Sequence, residues 1–171
     1  MPEPDHIFFC LGEGGHTRQV LLLSEDAHFA EYSPVFVVKE GDSLSAKKAR
    51  SRSEHVHSVP NAFRVPGETF LHQAVRIPFR PSFYRSFLIC WSLLARYRPC
   101  AIVSSGPADF LPLFLFAKIF GVKRFYCESW SRITVPSLSA RLHRPFCDVL
   151  YVQWEPMLKK IPGSIYRGRM Q

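Results

Sequence analysis

The apolar run Ile7-Phe8-Phe9-Cys10-Leu11 breaks abruptly into Gly12-Glu13-Gly14-Gly15-His16-Thr17. This is the pattern of a first β-strand, a glycine turn and the start of a helix. Such a turn lets backbone N–H groups approach an anion at the positive end of the helix. His16 adds an imidazole, a side chain able to accept or donate a proton. The opening therefore constrains the chain to a strand–loop–helix unit and points to phosphate-linked chemistry at the loop.

The remainder continues the alternation. A helix is expected over Thr17–Glu31, from the spacing of Val20, Leu21, Leu23 and Ala27, and a buried strand over Val35–Val38. Gly41–Ser53 is polar and basic, read as a solvated loop or weak helix. Short extended pieces are expected near Glu54–Ser58 and Ala62–Val65, broken by Pro60 and Pro66. A helix over Pro81–Tyr97 follows, with proline at a tolerated first-turn position and Pro99 blocking its continuation. Then come a strand at Ala101–Ser104, a helix over Phe110–Phe120 closed by Gly121, and a strand at Arg124–Cys127. Leu138–His143 reads as helical, Val149–Val152 as the last strand, and Lys159–Gln171 as a basic tail. The fold class expected is α/β: a Rossmann-like parallel sheet with helices on both faces. Residues 1–171 are read as one domain, the tail from 159 onward lying at an interface.

In such sheets ligands gather at the carboxyl ends of the strands. Those ends carry Gly12–His16, Ser104–Asp109, Glu128–Arg132 and Gln153–Glu155. His16 is the first candidate for a general base; the alternative is a structural histidine bonded to the loop. Glu128 either activates or orients a hydroxyl, or caps a helix or pairs with Arg132. Ser104 and Ser105 either face a ligand or close their own turn, and Asp109 is expected to cap the Phe110 helix. A dinucleotide site is the alternative use of the loop, with Glu40 as ribose-binding acid. Thr17 stands where that fingerprint wants a small third residue, and no G-K-[ST] follows to make a P-loop.

The net charge is +8 over 171 residues, and no acidic residue lies between Glu68 and Asp109, where Arg76, Arg80, Arg85, Arg96 and Arg98 fall. Phe79, Phe83, Tyr84, Phe87, Trp91 and Tyr97 share that stretch. One reading is a half-buried helix with a solvated basic face; the other is a surface lying on anionic lipid. No nucleic-acid motif accompanies the charge, so nucleic acid is not expected as a partner. The five cysteines, Cys10, Cys90, Cys100, Cys127 and Cys147, form no C-x-x-C pair, and no metal site follows from their spacing. Cys10, Cys100 and Cys127 sit in apolar runs as small hydrophobes. With no signal peptide, they favour a reducing compartment. The most apolar run, Phe110–Phe120, is too short to cross a bilayer.

Several motifs occur in order: Gly14-Gly15-His16, Ser105-Gly106-Pro107, Glu128-Ser129 with Arg132, Leu138-Ser139, Asp148, Val152-Gln153-Trp154 and Tyr166-Arg167-Gly168. Together they resemble the acceptor-side subunit of the bipartite UDP-N-acetylglucosamine transferase of lipid-linked oligosaccharide synthesis, and its bacterial exopolysaccharide and capsule relatives. The resemblance covers nearly the whole chain and is loosest between about Gly41 and Arg80. It implies the N-terminal half of a two-domain GT-B glycosyltransferase, with the donor-binding half on a separate polypeptide. The implied activity is an inverting transfer from a UDP-sugar to a polyprenyl-diphosphate-linked acceptor, without a cofactor. In that frame His16 and Glu128 are the catalytic candidates. Gly12, Gly14, Gly15, Thr17, Ser105, Gly106, Ser129 and Arg132 bind the acceptor and its phosphates. Gln153, Trp154, Tyr166, Arg167 and Gly168 meet the partner chain in a heterodimer. The alternative is a non-catalytic scaffold that recruits the partner. The resemblance implies a membrane-spanning anchor before the first strand in eukaryotic members; here Met1 stands only a few residues before that strand, so attachment by insertion is not expected, and Glu13 in the loop is a second departure. The expectation is peripheral attachment to the cytoplasmic face of a membrane, through the Pro81–Tyr97 helix.

Overall fold

The computed structural model of the chain describes residues 5–63 and 79–170. Among the described residues seven strands run parallel in one sheet: β1 (His6–Leu11), β2 (Ser33–Lys39), β3 (Val56–Val59), β4 (Ala101–Ser104), β5 (Lys123–Cys127), β6 (Val149–Val152) and β7 (Ile165–Tyr166). Their spatial order is β3-β2-β1-β4-β5-β6-β7. The chain thus winds outward from β1 in one direction, returns, and winds outward from β4 in the other. The β1/β4 boundary is the switch point of a doubly wound sheet, the edge at which such folds gather their ligands.

The apolar runs are unbroken because both sheet faces are covered. On β1, Phe8 and Cys10 enter one core while Ile7, Phe9 and Leu11 enter the other, as the two-residue period of a strand dictates. The first core is closed by α3 (Pro81–Tyr97), through Cys90, Leu93 and Leu94, and by α4 (Leu111–Ile119), through Leu113, Phe114 and Ala117. The second is closed by α1 (Gly15–Ser24), through Val20 and Leu21, and by α2 (Ser43–Arg50), through Ala46 and Ala49. A further helix, α5 (Leu138–His143), starts where the Ser137 side chain accepts from Ala140 N.

Several expectations need correction. The first helix stops at Ser24 rather than Glu31, because the Asp26 carboxylate accepts from His28 N and starts a separate 3-10 turn over Ala27–Phe29. Of the two readings of Gly41–Ser53 the helix holds, over Ser43–Arg50, capped by Asp42 accepting from Ser45 N and burying a narrow Ala46/Ala49 face. The sheet does not end at Val152: Ile165–Tyr166 adds β7 beside β6, a pairing too short to leave a periodic signal. Ala62 and Phe63 are not in a strand, and the remainder of that expected piece, with Arg76, lies outside the described residues. Cys100 precedes β4 and is exposed rather than packed. Among the described residues no helix is long and apolar enough to cross a membrane.

Candidate functional site at the sheet switch point

The loops after β1 and β4 touch backbone to backbone. A side-chain carbon on Gly12 would stand 2.9 Å from His16 Cβ and 3.1 Å from Gly106 Cα; one on Gly106 would stand 3.1 Å from Gly12 N. Only glycine at both positions permits this approach. Gly14, at φ +62°, then turns the chain into α1, whose first turn receives no side-chain cap.

Three hydroxyls brace these loops from within. Thr17 Oγ1 donates to the Gly12 carbonyl and lies 2.6 Å from Ser45 Oγ. Ser105 Oγ donates to the His16 carbonyl at 3.1 Å, and Ser104 Oγ accepts from Gly106 N at 3.1 Å. Thr17 and Ser105, expected to meet the acceptor, are buried, and their hydroxyls bond to the Gly12 and His16 carbonyls and brace the loop. His16 is partly exposed, and its Nδ1 is enclosed without a hydrogen-bond partner. Glu13, the odd charge in the loop, reaches Lys39 Nζ at 2.8 Å. Asp109 does not cap the following helix: its buried carboxylate accepts from Ala62 N and Phe63 N, at 2.8 and 3.0 Å. Glu40, the ribose-binding alternative, pairs with Arg85 at 3.4 Å.

The β5 end forms the adjoining wall. Glu128 is 1% exposed. Its Oε1 accepts from Ser129 N and its Oε2 from Ser137 N, each at 2.8 Å. The carboxylate therefore ties both ends of the loop 129–137 together. The pairing with Arg132 that the sequence left open is replaced by these backbone partners; Arg132 itself is exposed, and Ser129 is buried with Oγ 3.0 Å from Ser131 Oγ. Gln153 Nε2 donates to the Glu128 carbonyl at 3.0 Å while its Oε1 accepts from Met170 N, so one side chain couples the site to the C-terminal segment. Trp154 Nε1 donates to the Trp130 carbonyl at 2.6 Å, and the Arg169 guanidinium lies 4.7 Å above the Trp154 ring. Arg167, Gly168 and Met170 border an apolar cavity of about 380 Å³ on the β4–β6 face, floored by Val103, Phe125 and Tyr151. Tyr166 lies in β7, at the sheet edge.

Sequence reasoning missed a second set of residues behind the glycine loops. Tyr126 OH and Ser139 Oγ both donate to the Gly106 carbonyl, at 3.1 and 2.8 Å, and hold that loop against Gly12. His143 stacks on Tyr126 with ring centroids 4.7 Å apart. Burial pushes the His143 imidazole down to about 4 and raises the Tyr126 phenol. The signal was present only as polar residues inside apolar stretches, without partners visible in sequence. Burial also pushes the thiols of Cys90, Cys127 and Cys147 up to about 12, which makes them poor nucleophiles. Among the described residues no group of His, Cys, Asp and Glu is arranged to hold a metal ion.

The neutral imidazole carries a pH prediction. The unfolded chain binds the His143 proton more tightly than the fold does, so stability is full above the ordinary value of 6.5 and is lost as pH falls toward about 4. Between pH 7.5 and 5 the loss from this group is about 2 kcal/mol. Urea unfolding at the two pH values measures it, and His143→Leu is expected to flatten the dependence whatever it does to absolute stability.

The same architecture occurs in known glycosyltransferases. MurG of Acinetobacter baumannii superposes with a TM-score of 0.69 at 11% identity, covering 97% of this chain and 46% of that one. A Phytolacca americana UGT2 complexed with UDP-2fluoro-glucose and pterostilbene superposes with a TM-score of 0.56 at 10% identity, covering 95% and 50%. The chain spans about half the length of these structures and matches the Rossmann-like half of the GT-B fold. It is 31% identical to the UDP-N-acetylglucosamine transferase subunit ALG14 of Mus musculus, over 93% of this chain and 80% of that protein. The Schizosaccharomyces pombe subunit of the same name is 30% identical, over 98% and 84%. Residues 7–170 match the family described as oligosaccharide biosynthesis protein Alg14 like. The chain belongs to the Alg14-like family of oligosaccharide biosynthesis proteins.

Proposed function

We propose that this chain is the acceptor-binding subunit of a two-chain inverting glycosyltransferase. It holds a polyprenyl-diphosphate-linked sugar, and a separate donor-binding chain presents the UDP-sugar across the cleft between them. The observation that carries this reading is the closed contact between the Gly12 and Gly106 loops, which sets His16 and the uncapped start of α1 side by side at the switch point. The first-turn N–H groups of α1, with Gly14 and Gly15, receive the acceptor diphosphate. With His16 Nδ1 enclosed, the Nε2 side of the ring meets the acceptor hydroxyl. The imidazole takes that proton as the oxygen attacks the anomeric carbon, and the bond to UDP breaks with its electrons leaving on the diphosphate. Arg132, exposed at the rim, adds positive charge for these anions. Glu128 acts by fixing the wall that orients the acceptor sugar. The partner chain covers the C-terminal segment and the apolar cavity beside it, where Trp154, Tyr166, Arg167 and Gly168 lie.

The test is co-expression with the donor-binding glycosyltransferase-like chain, then UDP-sugar turnover on a polyprenyl-diphosphate-linked acceptor. Turnover only with both chains supports the reading. A stable complex that never turns over supports a recruiting scaffold, and turnover by this chain alone overturns the division of labour.

Membrane contact belongs to the same proposal. Tyr84, Leu88 and Trp91 are exposed at i, i+4, i+7 on α3, forming one stripe beside exposed Ile119 of α4. Trp91 bridges the two helices, its ring centroid 5.0 Å from that of Phe120. This stripe rests on the cytoplasmic leaflet, with the basic residues around it at the headgroups. Leu88→Glu with Trp91→Glu is expected to lower binding to vesicles containing anionic phospholipid by about tenfold or more. Sedimentation with such vesicles reads the change, and wild-type protein that stays in the supernatant at low salt overturns the contact.

A further inference from the structure

Trp130 is a large aromatic side chain left 55% exposed at the carboxyl edge of the sheet. It is nevertheless held in place. Its carbonyl accepts from Trp154 Nε1 at 2.6 Å, Trp154 is in turn covered by Arg169, and the turn that follows is closed by Arg132 N donating to the Ser129 carbonyl at 3.0 Å. Its ring borders the glycine loop: a side-chain carbon on Gly15 would stand 3.3 Å from Trp130 Nε1. His16 is the next residue. A tryptophan whose main chain is fixed while its ring stays half exposed keeps an unfavourable apolar surface in water until something flat and partly apolar covers it.

The geometry points to Trp130 as the platform on which a pyranose ring of the acceptor stacks, with a hydroxyl of that ring delivered to His16. This rests on the acceptor-binding reading above and adds to it the residue that recognises the sugar rather than the diphosphate. A pyranose has the required chemistry, since one face is made of C–H groups while its equatorial hydroxyls point outward to polar partners. The indole covers the C–H face. The adjoining glycine loop is left to the diphosphate, so the two parts of the acceptor are read by different residues. Trp130 then sets specificity for the presence of the first sugar, and a side chain at Gly15 would press the ring a few tenths of an ångström off the loop.

Equilibrium binding to the full chain separates these contributions. The probes are farnesyl diphosphate and farnesyl-diphosphate-linked N-acetylglucosamine. Wild-type protein is expected to prefer the sugar-bearing probe by about tenfold. Trp130→Ala is expected to abolish that preference while leaving the affinity for farnesyl diphosphate unchanged, and Trp130→Phe to retain most of it. A Trp130→Ala protein that keeps the wild-type preference overturns the proposal and leaves the acceptor reading standing. Wild-type protein that binds neither probe overturns both. Trp130→Ala that loses capture of the donor-binding chain but keeps the sugar preference assigns the ring to the subunit interface, which also overturns it.

Discussion

His16→Ala is expected to lower turnover of the two-chain enzyme by about 10²–10⁴-fold, the usual range for losing a positioned general base. The substitution removes a partly exposed side chain whose Nδ1 bonds to nothing, while the main-chain contacts of residue 16, including the Ser105 bond to its carbonyl, survive in alanine. Folding and assembly with the partner should therefore change little. The loss should fall on kcat more than on the acceptor KM, because the α1 start and the glycine turn still hold the diphosphate. Steady-state kinetics with both chains present, with pull-down as the control for assembly, separates these outcomes. A variant that assembles normally and keeps wild-type kcat removes His16 from the base role and shifts the search for a base to the partner chain.

The choice of His16 is available from sequence because the residues that suggest it are local. The Ile7–Leu11 run, the glycines after it and His16 all fall within one strand–turn–helix unit, and the structure keeps them together. The βα alternation was legible for the same reason: α3 with its entry proline, β4, β5 and β6 each announce themselves within a short window. What was not legible is the long-range wiring. Nothing in the sequence says that Tyr126 and Ser139 converge on the carbonyl of Gly106, or that Gln153 bridges Glu128 to Met170. Thr17 and Ser105 looked like ligands because they sit in the right loops, yet hydroxyls one residue from a site can as readily turn back to brace it. β7 escaped because two residues carry no periodicity, and its pairing depends on β6 already being in place. Trp130 carries no signal in sequence, since an aromatic after a strand normally belongs to the core; its exposure is a fact of the fold.

Glu128 shows how far such wiring changes a prediction. From sequence it was a second candidate base, which predicts that Glu128→Gln folds normally and turns over poorly. In the structure two backbone N–H donors converge on the two carboxylate oxygens, one from each end of the loop 129–137. Glutamine keeps the shape and supplies one acceptor, but its NH₂ group then faces an N–H, donor against donor. One buried N–H loses its partner, and a bond to a charged acceptor becomes a bond to a neutral one. Each of these changes costs about 1–3 kcal/mol. Glu128→Gln is therefore expected to destabilise the fold by about 2–4 kcal/mol and to release the loop that carries Trp130 and leads into α5. Urea unfolding of the isolated subunit measures the first effect, and protease susceptibility of residues 129–137 reads the second. Turnover should fall as well, with the acceptor KM rising, since a loosened wall no longer orients the sugar. Wild-type unfolding and an intact loop combined with a collapse of kcat alone would restore Glu128 to the chemistry itself. The stability measurement therefore comes first, because it decides whether the kinetic loss is read as positioning or as proton transfer.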